Sequence, residues 1–442
     1  MKKLLILAYD FPPYVSVGGL RPYNWHQYIK EFGVEPIVIT RQWANTHGNH
    51  LDYISSGISP LVIEEKSDRG TIFRTPYHPN LSNRLLLKYG DSRFKVIRKL
   101  ISGYYEFAQF LFPIGPKSGL YDYARKYLKE NKVDAIIATG DPFVLFSYAS
   151  KLSKEFDIPW IADYRDTWVQ DKTRSGNRFT KGWNSFFERK FLRDVHSICT
   201  VSNFIVKQLQ QNLPDKKYEI VLNGFNPDVM QSAGAIEQQN EVFTISFAGT
   251  IYKWHPIMSF LKVCNDLLES KQLKRIHLRF YGVNNSVEIK DAIQKNFTAL
   301  SDQVSIFPKT ANEELVKNMA ESNAFLLFND YSILGTKIFT YLGIRRKIIL
   351  CYTDDQDAIN LKNRHYNLQE FESESKQLQA DLLQETEAGV AVKDKAHLTR
   401  VLIDLNDEFM RTGKIACEST GIEKYSRKMQ VKHLASLIEN LK

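Results

Sequence analysis

The residues best placed to do chemistry in this sequence lie between Ser332 and Cys351, in SILGTKIFTYLGIRRKIILC. Gly335 and Thr336 introduce a short helix expected from about Thr336 to Leu342, Lys337 falls in its first turn, and an apolar strand follows from Lys347 to Cys351. A loop feeding a helix N-terminus offers unpaired backbone N–H groups and the positive end of the helix dipole, and a lysine there adds a full charge. The stretch is a place for a phosphate. Taken alone, it also reads as an ordinary turn at Gly335 followed by a solvated Lys337.

Four other loops carry residues of the same kind. In FPPYVSVGGLR (11–21) two prolines stiffen the chain, and Gly18 with Gly19 lets the backbone approach a ligand at the start of the next helix. In AGTIYKWHP (248–256) Gly249 and Thr250 supply a turn and a hydroxyl, and Lys253 can reach an anion; Tyr252 or Trp254 stacks on a base or fills a groove. In IADYRDTW (161–168) two acids and an arginine, Asp163, Arg165 and Asp166, fall within four residues and are expensive to bury unless paired. That favours a functional loop, with a pinning salt bridge from Arg165 as its competitor. NGFNPD (223–228) turns the chain.

The elements that must position these loops alternate between strand-like and helix-like segments, the pattern of parallel α/β sheets covered by helices. Strands are expected at 4–9, 35–40, 135–139, 160–163, 197–201 and 218–222, with a first helix from about Arg21 to Phe32 closed by Gly33. Residues 226–240 have low hydrophobicity and no useful period and read as a linker. A second alternating run has strands at 243–247, 277–281, 304–307, 324–328 and 347–351, and Thr310 with Glu313 makes a capping box for the helix between two of them. In an open parallel sheet ligands sit at the carboxyl ends of strands, where these loops lie.

With 442 residues, 43% hydrophobic and 25% charged, the chain has the composition of a multidomain globular protein. Its formal charge of +9 attracts anionic partners; no nucleic-acid-binding module is recognisable. The four cysteines are scattered without CxxC spacing and read as reduced residues of a cytoplasmic protein rather than metal ligands. The N-terminal apolar run stops at Asp10 and two prolines, too short for a signal peptide or a membrane span, and reads as a buried strand. Between Arg84 and Glu130 ten Lys or Arg face four acids, interleaved with Phe94, Ile97, Tyr104, Phe107, Phe110 and Phe112. Such a stretch rests on an anionic membrane, or packs on its own domain with a basic face in solvent.

In this order and spacing the motifs resemble glycosyltransferase family 4, over nearly the whole chain: the proline and GG loop, DYRDTW, NGFNPD, FAGTIY, GTKIFTYLGIRRKII and YSRKMQ before a final helix. The resemblance implies an α/β protein of the GT-B architecture, two Rossmann-like domains with parallel sheets facing each other across a cleft. The implied layout is an acceptor domain at 1–225 with the helical basic insertion near 84–130, a linker at 226–240, a donor domain at 241–415, and a last helix within 416–442 that crosses back to the first domain. The implied partners are a nucleotide-sugar donor, linked through uridine diphosphate, and a glycan or lipid-linked acceptor in cell-surface polysaccharide synthesis, with no cofactor and no divalent metal.

The resemblance assigns roles residue by residue. Lys253 and Lys337 hold the diphosphate and stabilise the charge that develops as it leaves. Asp166 contacts the reacting sugar or acceptor hydroxyl. Gly18, Gly19, Gly249, Thr250, Gly335, Thr336 and Thr340 belong to the donor site, and Arg21, Asp163 and Arg165 to the acceptor side. Retention of anomeric configuration by front-face transfer is implied. The sequence departs from the family where it usually carries two acids, at Ser332 and Thr340; a threonine makes one hydrogen bond to a ribose hydroxyl but not a carboxylate's bidentate pair. Those two positions motivate one alternative, a non-catalytic binding or assembly subunit; the shared two-domain architecture leaves a second, a sugar-nucleotide epimerase of the same fold.

Overall fold

The computed structural model describes residues 1–14, 16–44, 51–170, 178–368, 370–372 and 375–441. The chain divides into two compact units, Met1–Leu222 with Lys428–Lys442, and Asn223–Arg427.

The first unit is built on β1 (Lys2–Leu7), β2 (Val34–Arg41), β3 (Ile63–Ser67), β4 (Gly70–Thr75), β5 (Ala135–Gly140), β6 (Trp160–Tyr164), β7 (Ser197–Thr200) and β8 (Tyr218–Ile220). They form one sheet in the order β3-β4-β2-β1-β5-β6-β7-β8, parallel except for the β3–β4 pair. Parallel strands are covered on both faces and so read as continuous apolar runs. In β1 alternate residues serve two cores: Leu5 and Leu7 join Ile37, Ile39 and Ala138 on one face, Leu4 and Ile6 join Val38, Ala135 and Ile137 on the other. The last helix, Arg427–Glu439, closes the second face with Val431, Leu434, Ala435 and Ile438. Lys2 Nζ caps its end, donating to the carbonyls of Ile438 at 3.1 Å and of Glu439 and Leu441 at 2.9 Å, where the helix dipole favours a cation.

The second unit carries β9 (Thr244–Ala248), β10 (His277–Tyr281), β11 (Val304–Phe307), β12 (Ala324–Phe328), β13 (Lys347–Cys351) and β14 (Gly389–Val392). Their order is β11-β10-β9-β12-β13-β14, all parallel. Among the described residues no helix is long and apolar enough to cross a membrane. All four cysteines are free, three of them buried.

Several local expectations are corrected. The first helix runs Val17–Tyr28, so Gly18 and Gly19 lie inside its first turn and not in a loop. Ser16 starts it early by accepting from the Gly19 N–H at 3.2 Å. The Thr310–Glu313 capping box does not form: the helix Asn312–Ala320 begins after Ala311, which puts Glu313 at its second position, and the Thr310 hydroxyl is buried without a hydrogen bond. Within the stretch read as a linker, Pro227–Gly234 is helical, capped by Asn226 Oδ1, which accepts from the Asp228 and Val229 N–H groups at 3.0 and 3.5 Å. It buries only Met230 and Ala233, too few apolar residues to print a period.

The basic insertion comprises the helices Leu81–Tyr89, Lys95–Ala108 and Ser118–Glu130. The third buries Leu120, Ala124 and Leu128, whereas the second buries none of its residues and leaves Val96, Ile97, Leu100 and Tyr104 exposed.

Candidate functional site

The second sheet changes direction at β9, with β10 and β11 on one side and β12 to β14 on the other. Ligands bind outside the carboxyl ends of strands at such a switch point. The loop leaving β9 carries Gly249–Thr250, and the loop leaving β12, 329–335, leads into the helix turn that bears Lys337, so two motifs 87 residues apart meet there.

Gly249 has φ +90°, a left-handed value, and a Cβ on it would stand 3.1 Å from Lys337 Cε. The missing side chain leaves the channel through which Lys337 passes. Its ammonium donates to the Thr250 carbonyl at 2.5 Å and lies 4.7 Å from the Phe247 ring centroid, a cation–π arrangement. Burial lowers its pKa from the ordinary lysine value to about 8, against the attraction of the Asp330 carboxylate. Gly335 caps the helix Thr336–Ile344 in an extended conformation with no side chain to pair with the first-turn N–H groups. A charged lysine and unpaired helical N–H groups together can hold an anion.

Asp330 organises the floor of this site. It is buried, with His255 Nε2 at 2.8 Å and Trp254 Nε1 at 3.3 Å from Oδ1, and Gln379 Nε2 at 3.4 Å from Oδ2. His255 Nδ1 accepts from the Tyr252 N–H at 3.1 Å, which fixes the proton on Nε2, facing Asp330. Burial pushes the His255 pKa down despite Asp330, so the ring is a neutral donor that locks the loop. Tyr331 sits at φ +55°, held by the Asn329 side chain, which accepts its N–H at 2.9 Å.

The remaining donor-side residues are distributed unequally. Thr340 turns its hydroxyl back onto the Thr336 carbonyl at 3.4 Å. Ser332 is buried and donates to Glu370 Oε1 at 2.9 Å, while Glu370 Oε2 pairs with Lys362 at 2.8 Å. A carboxylate from outside the motif therefore reaches the position where the sequence has a serine. Lys253 is exposed and lines a hollow of about 550 Å³ with Asp357 and Arg364, whose described lining does not include Lys337. Tyr252 and Trp254 stack on each other with centroids 4.5 Å apart, leaving Tyr252 exposed.

In the first unit the sheet switches at β1, between β2 and β5. Asp10, just beyond β1, accepts from Ser16 Oγ at 2.6 Å through Oδ2, while Oδ1 is buried with no hydrogen bond among the described residues. Burial raises the Asp10 pKa; the Ser16 bond and the charge of Arg165 oppose the rise. Arg165 lies across the start of the first helix: a Cβ on Gly18 would fall 2.1 Å from its Nη1. Its Nε donates to Asp166 Oδ2 at 2.8 Å, and the Asp166 side chain is 53% exposed. This cluster presents a carboxylate and a guanidinium to solvent.

Arg21 and Asp163, expected on the acceptor side, are buried against each other. Arg21 Nε donates to both Asp163 oxygens, at 2.9 and 3.1 Å, and Nη1 donates to the Val221 carbonyl at 2.6 Å. An acid shielded from water in this way needs a partner, and the pair ties the first helix to β6 and to the chain beyond β8. The residues that sequence reasoning missed are Asp10, Asp330, His255, Gln379 and Glu370. Asp10 and Asp330 had a signal, an acid two or three residues beyond the end of a strand that closes on apolar residues; the others had none.

The model of Glycosyltransferase Family 4 matches residues 22–229. No curated protein sequence matches the chain. Among solved structures the chain is similar to sucrose-phosphate synthase from Thermosynechococcus elongatus, at 13% identity and TM-score 0.57, covering 100% of this chain and 99% of that one. It is also similar to the E. coli trehalose-6-phosphate protein bound with UDP-2-fluoro glucose, at 11% identity, TM-score 0.56 and coverage of 100% and 99%. The Anabaena protein HepE in complex with UDP-glucose matches at 10% identity and TM-score 0.51, with 100% of both chains covered.

Proposed function

We propose, from the match of residues 22–229 to the model of Glycosyltransferase Family 4 and from the GT-B fold of the whole chain, that the protein moves a sugar from a uridine diphosphate-linked donor to a glycan or lipid-linked acceptor in cell-surface polysaccharide synthesis. The observation that carries the reading is Lys337, threaded past Gly249 onto the Thr250 carbonyl at the switch point of the second sheet. In this reading the diphosphate takes over the ammonium, with Lys253 supplying a second charge from the loop after β9. The uncapped first turn at Gly335 and Thr336 receives a phosphate oxygen, and the Thr340 hydroxyl gives the ribose one hydrogen bond. The charge that develops on the leaving diphosphate is met by these groups, so the step calls for no metal.

On the acceptor side, Asp166 takes the hydroxyl that is to be glycosylated, with Arg165 orienting it over Gly18 and Gly19. Arg21 and Asp163 act by holding the helix that bears those glycines. Transfer retains anomeric configuration, following the family resemblance. The choice of uridine diphosphate draws support from the ligands of the E. coli and Anabaena proteins of the same fold. A cytoplasmic location with peripheral contact to the membrane draws support from the exposed Phe94, Ile97, Leu100 and Tyr104 beside the exposed Arg93, Lys95 and Lys99.

A second reading, a non-catalytic subunit that keeps the fold, rests on Ser332 and Thr340, neither of which offers a carboxylate. The test is nucleotide release from a panel of uridine diphosphate sugars incubated with membrane extract. Release that disappears in Lys337→Ala supports transfer. No release from any donor, with Lys337→Ala unchanged, sinks it.

A further inference from the structure

Within the first unit, the ends of β1 and β5 and the helices Leu81–Tyr89 and Lys95–Ala108 enclose a cavity of about 360 Å³. That volume lies within the ~300–1,000 Å³ of small-molecule sites. Its wall carries the half-buried Tyr105 as an aromatic surface beside the buried Tyr9 and Trp168, with Asn80, Asn83 and Lys117 among its polar groups.

Those polar groups have unused capacity. Asn80 Oδ1 accepts the Asn83 N–H at 2.9 Å and Asn83 Nδ2 donates to Tyr77 OH at 3.3 Å, and among the described residues Asn80 Nδ2 and Asn83 Oδ1 have no further partner. Lys117 lies with Nζ 5.7 Å from the Tyr9 ring centroid and makes no hydrogen bond or ion pair among the described residues. Burial lowers its pKa, and Asp141 and Glu106, both on the cavity wall, oppose the fall. A donor amide, an acceptor amide and an ammonium therefore face one space beside flat apolar rings.

We infer that this cavity binds one neutral pyranose ring, its C–H face on an aromatic side chain and its hydroxyls on Asn80, Asn83 and Lys117. A nucleoside diphosphate fits poorly, because among the described lining residues the one cation, Lys117, is offset by the carboxylates of Glu106 and Asp141. A lipid chain fits poorly too, since it would leave the amides and the ammonium unpaired. Asp141 is also within electrostatic reach of Asp10 and Arg165, which places the cavity next to the acceptor-side cluster. If the glycosyltransferase reading holds, on which this role rests, the ring is the acceptor's sugar.

The experiment is saturation-transfer NMR of the full chain with methyl glycosides of glucose, galactose, rhamnose and N-acetylglucosamine at millimolar concentration, with uridine diphosphate titrated in parallel. The variants are Asn83→Leu and Lys117→Met, each checked for native circular dichroism. At least one glycoside should bind, and at least tenfold more weakly in both variants, with uridine diphosphate affinity unchanged. If Lys117→Met does not fold, Asn83→Leu, on the helix that walls the cavity, decides alone. No glycoside binding while uridine diphosphate still binds overturns the inference and leaves the donor reading standing. Glycoside binding that survives the substitutions also overturns it. Glycoside binding lost in the variants, with no affinity for uridine diphosphate, supports the cavity and counts against the donor reading.

Discussion

Lys337 reaches the Thr250 carbonyl, 2.5 Å from its ammonium, through a gap that exists because residue 249 has no side chain. Gly249→Ala places a Cβ against Lys337 Cε and forces a left-handed backbone on alanine. The expected destabilisation is about 1–2 kcal/mol in urea denaturation. Donor affinity should fall with it. Gly335→Ala is the control, since that backbone is extended and the nearest atom to a new Cβ, Asp330 Oδ2, is 3.8 Å away; its stability should change by under about 0.5 kcal/mol.

The lowered pKa of Lys337 gives a pH signature with two signs. Between about 8 and the ordinary 10.5 the unfolded chain holds a proton that the folded chain has released, so this group makes folding stability rise with pH across that window. Diphosphate binding needs the ammonium and runs the other way. Affinity should fall as pH rises above about 8, by at most about tenfold per unit, and Lys337→Met should flatten both slopes. Calorimetric titration and urea unfolding over pH 7 to roughly 10 read the two effects separately.

Asp163→Ala leaves the buried Arg21 guanidinium without its counter-charge. Breaking such a pair costs about 3–5 kcal/mol, so the variant should melt well below the parent or fail to fold. Asp166→Ala, at an exposed carboxylate, should leave the melting temperature nearly unchanged while lowering transfer. Equal melting temperatures for the two variants would contradict the division between a pinning pair and a reacting carboxylate.

The sequence made the sheets legible because parallel strands are buried on both faces. Leu4–Leu7, Ala324–Phe328 and Ile348–Cys351 each read as unbroken apolar runs that need no partner to be recognised. Lys337 was legible for a local reason, a glycine and a helix start directly before it. The His255–Asp330 bond was not, since it joins residues 75 apart through the adjacency of β9 and β12, which depends on crossover order and leaves no trace in periodicity. Glu370 reaches Ser332 from a non-helical segment, so neither spacing nor hydrophobic pattern announces it. The Arg21–Asp163 pair shows the reverse error: charge in a loop sequence suggested function, and the fold buries it as a tie.

The exposed face of the helix Lys95–Ala108 sets a test of the membrane contact. Leu100 is 71% and Tyr104 62% exposed on a helix that buries none of its residues. Leu100→Asp with Tyr104→Asp should reduce sedimentation with phosphatidylglycerol vesicles at least tenfold, and rising salt should weaken the parent's binding. Both changes follow from removing apolar insertion and screening the basic rim. Binding to neutral phosphatidylcholine vesicles equal to that on anionic ones would contradict the proposed surface.

The central claim is that the Lys337 wall is a diphosphate site, and isothermal titration calorimetry with uridine diphosphate tests it most directly. The parent chain should bind, and Lys337→Ala should bind at least tenfold more weakly, in keeping with the loss of about 1.5–3 kcal/mol from a charged hydrogen bond. Absence of heat at millimolar uridine diphosphate, or equal affinity in the parent and Lys337→Ala, would contradict it.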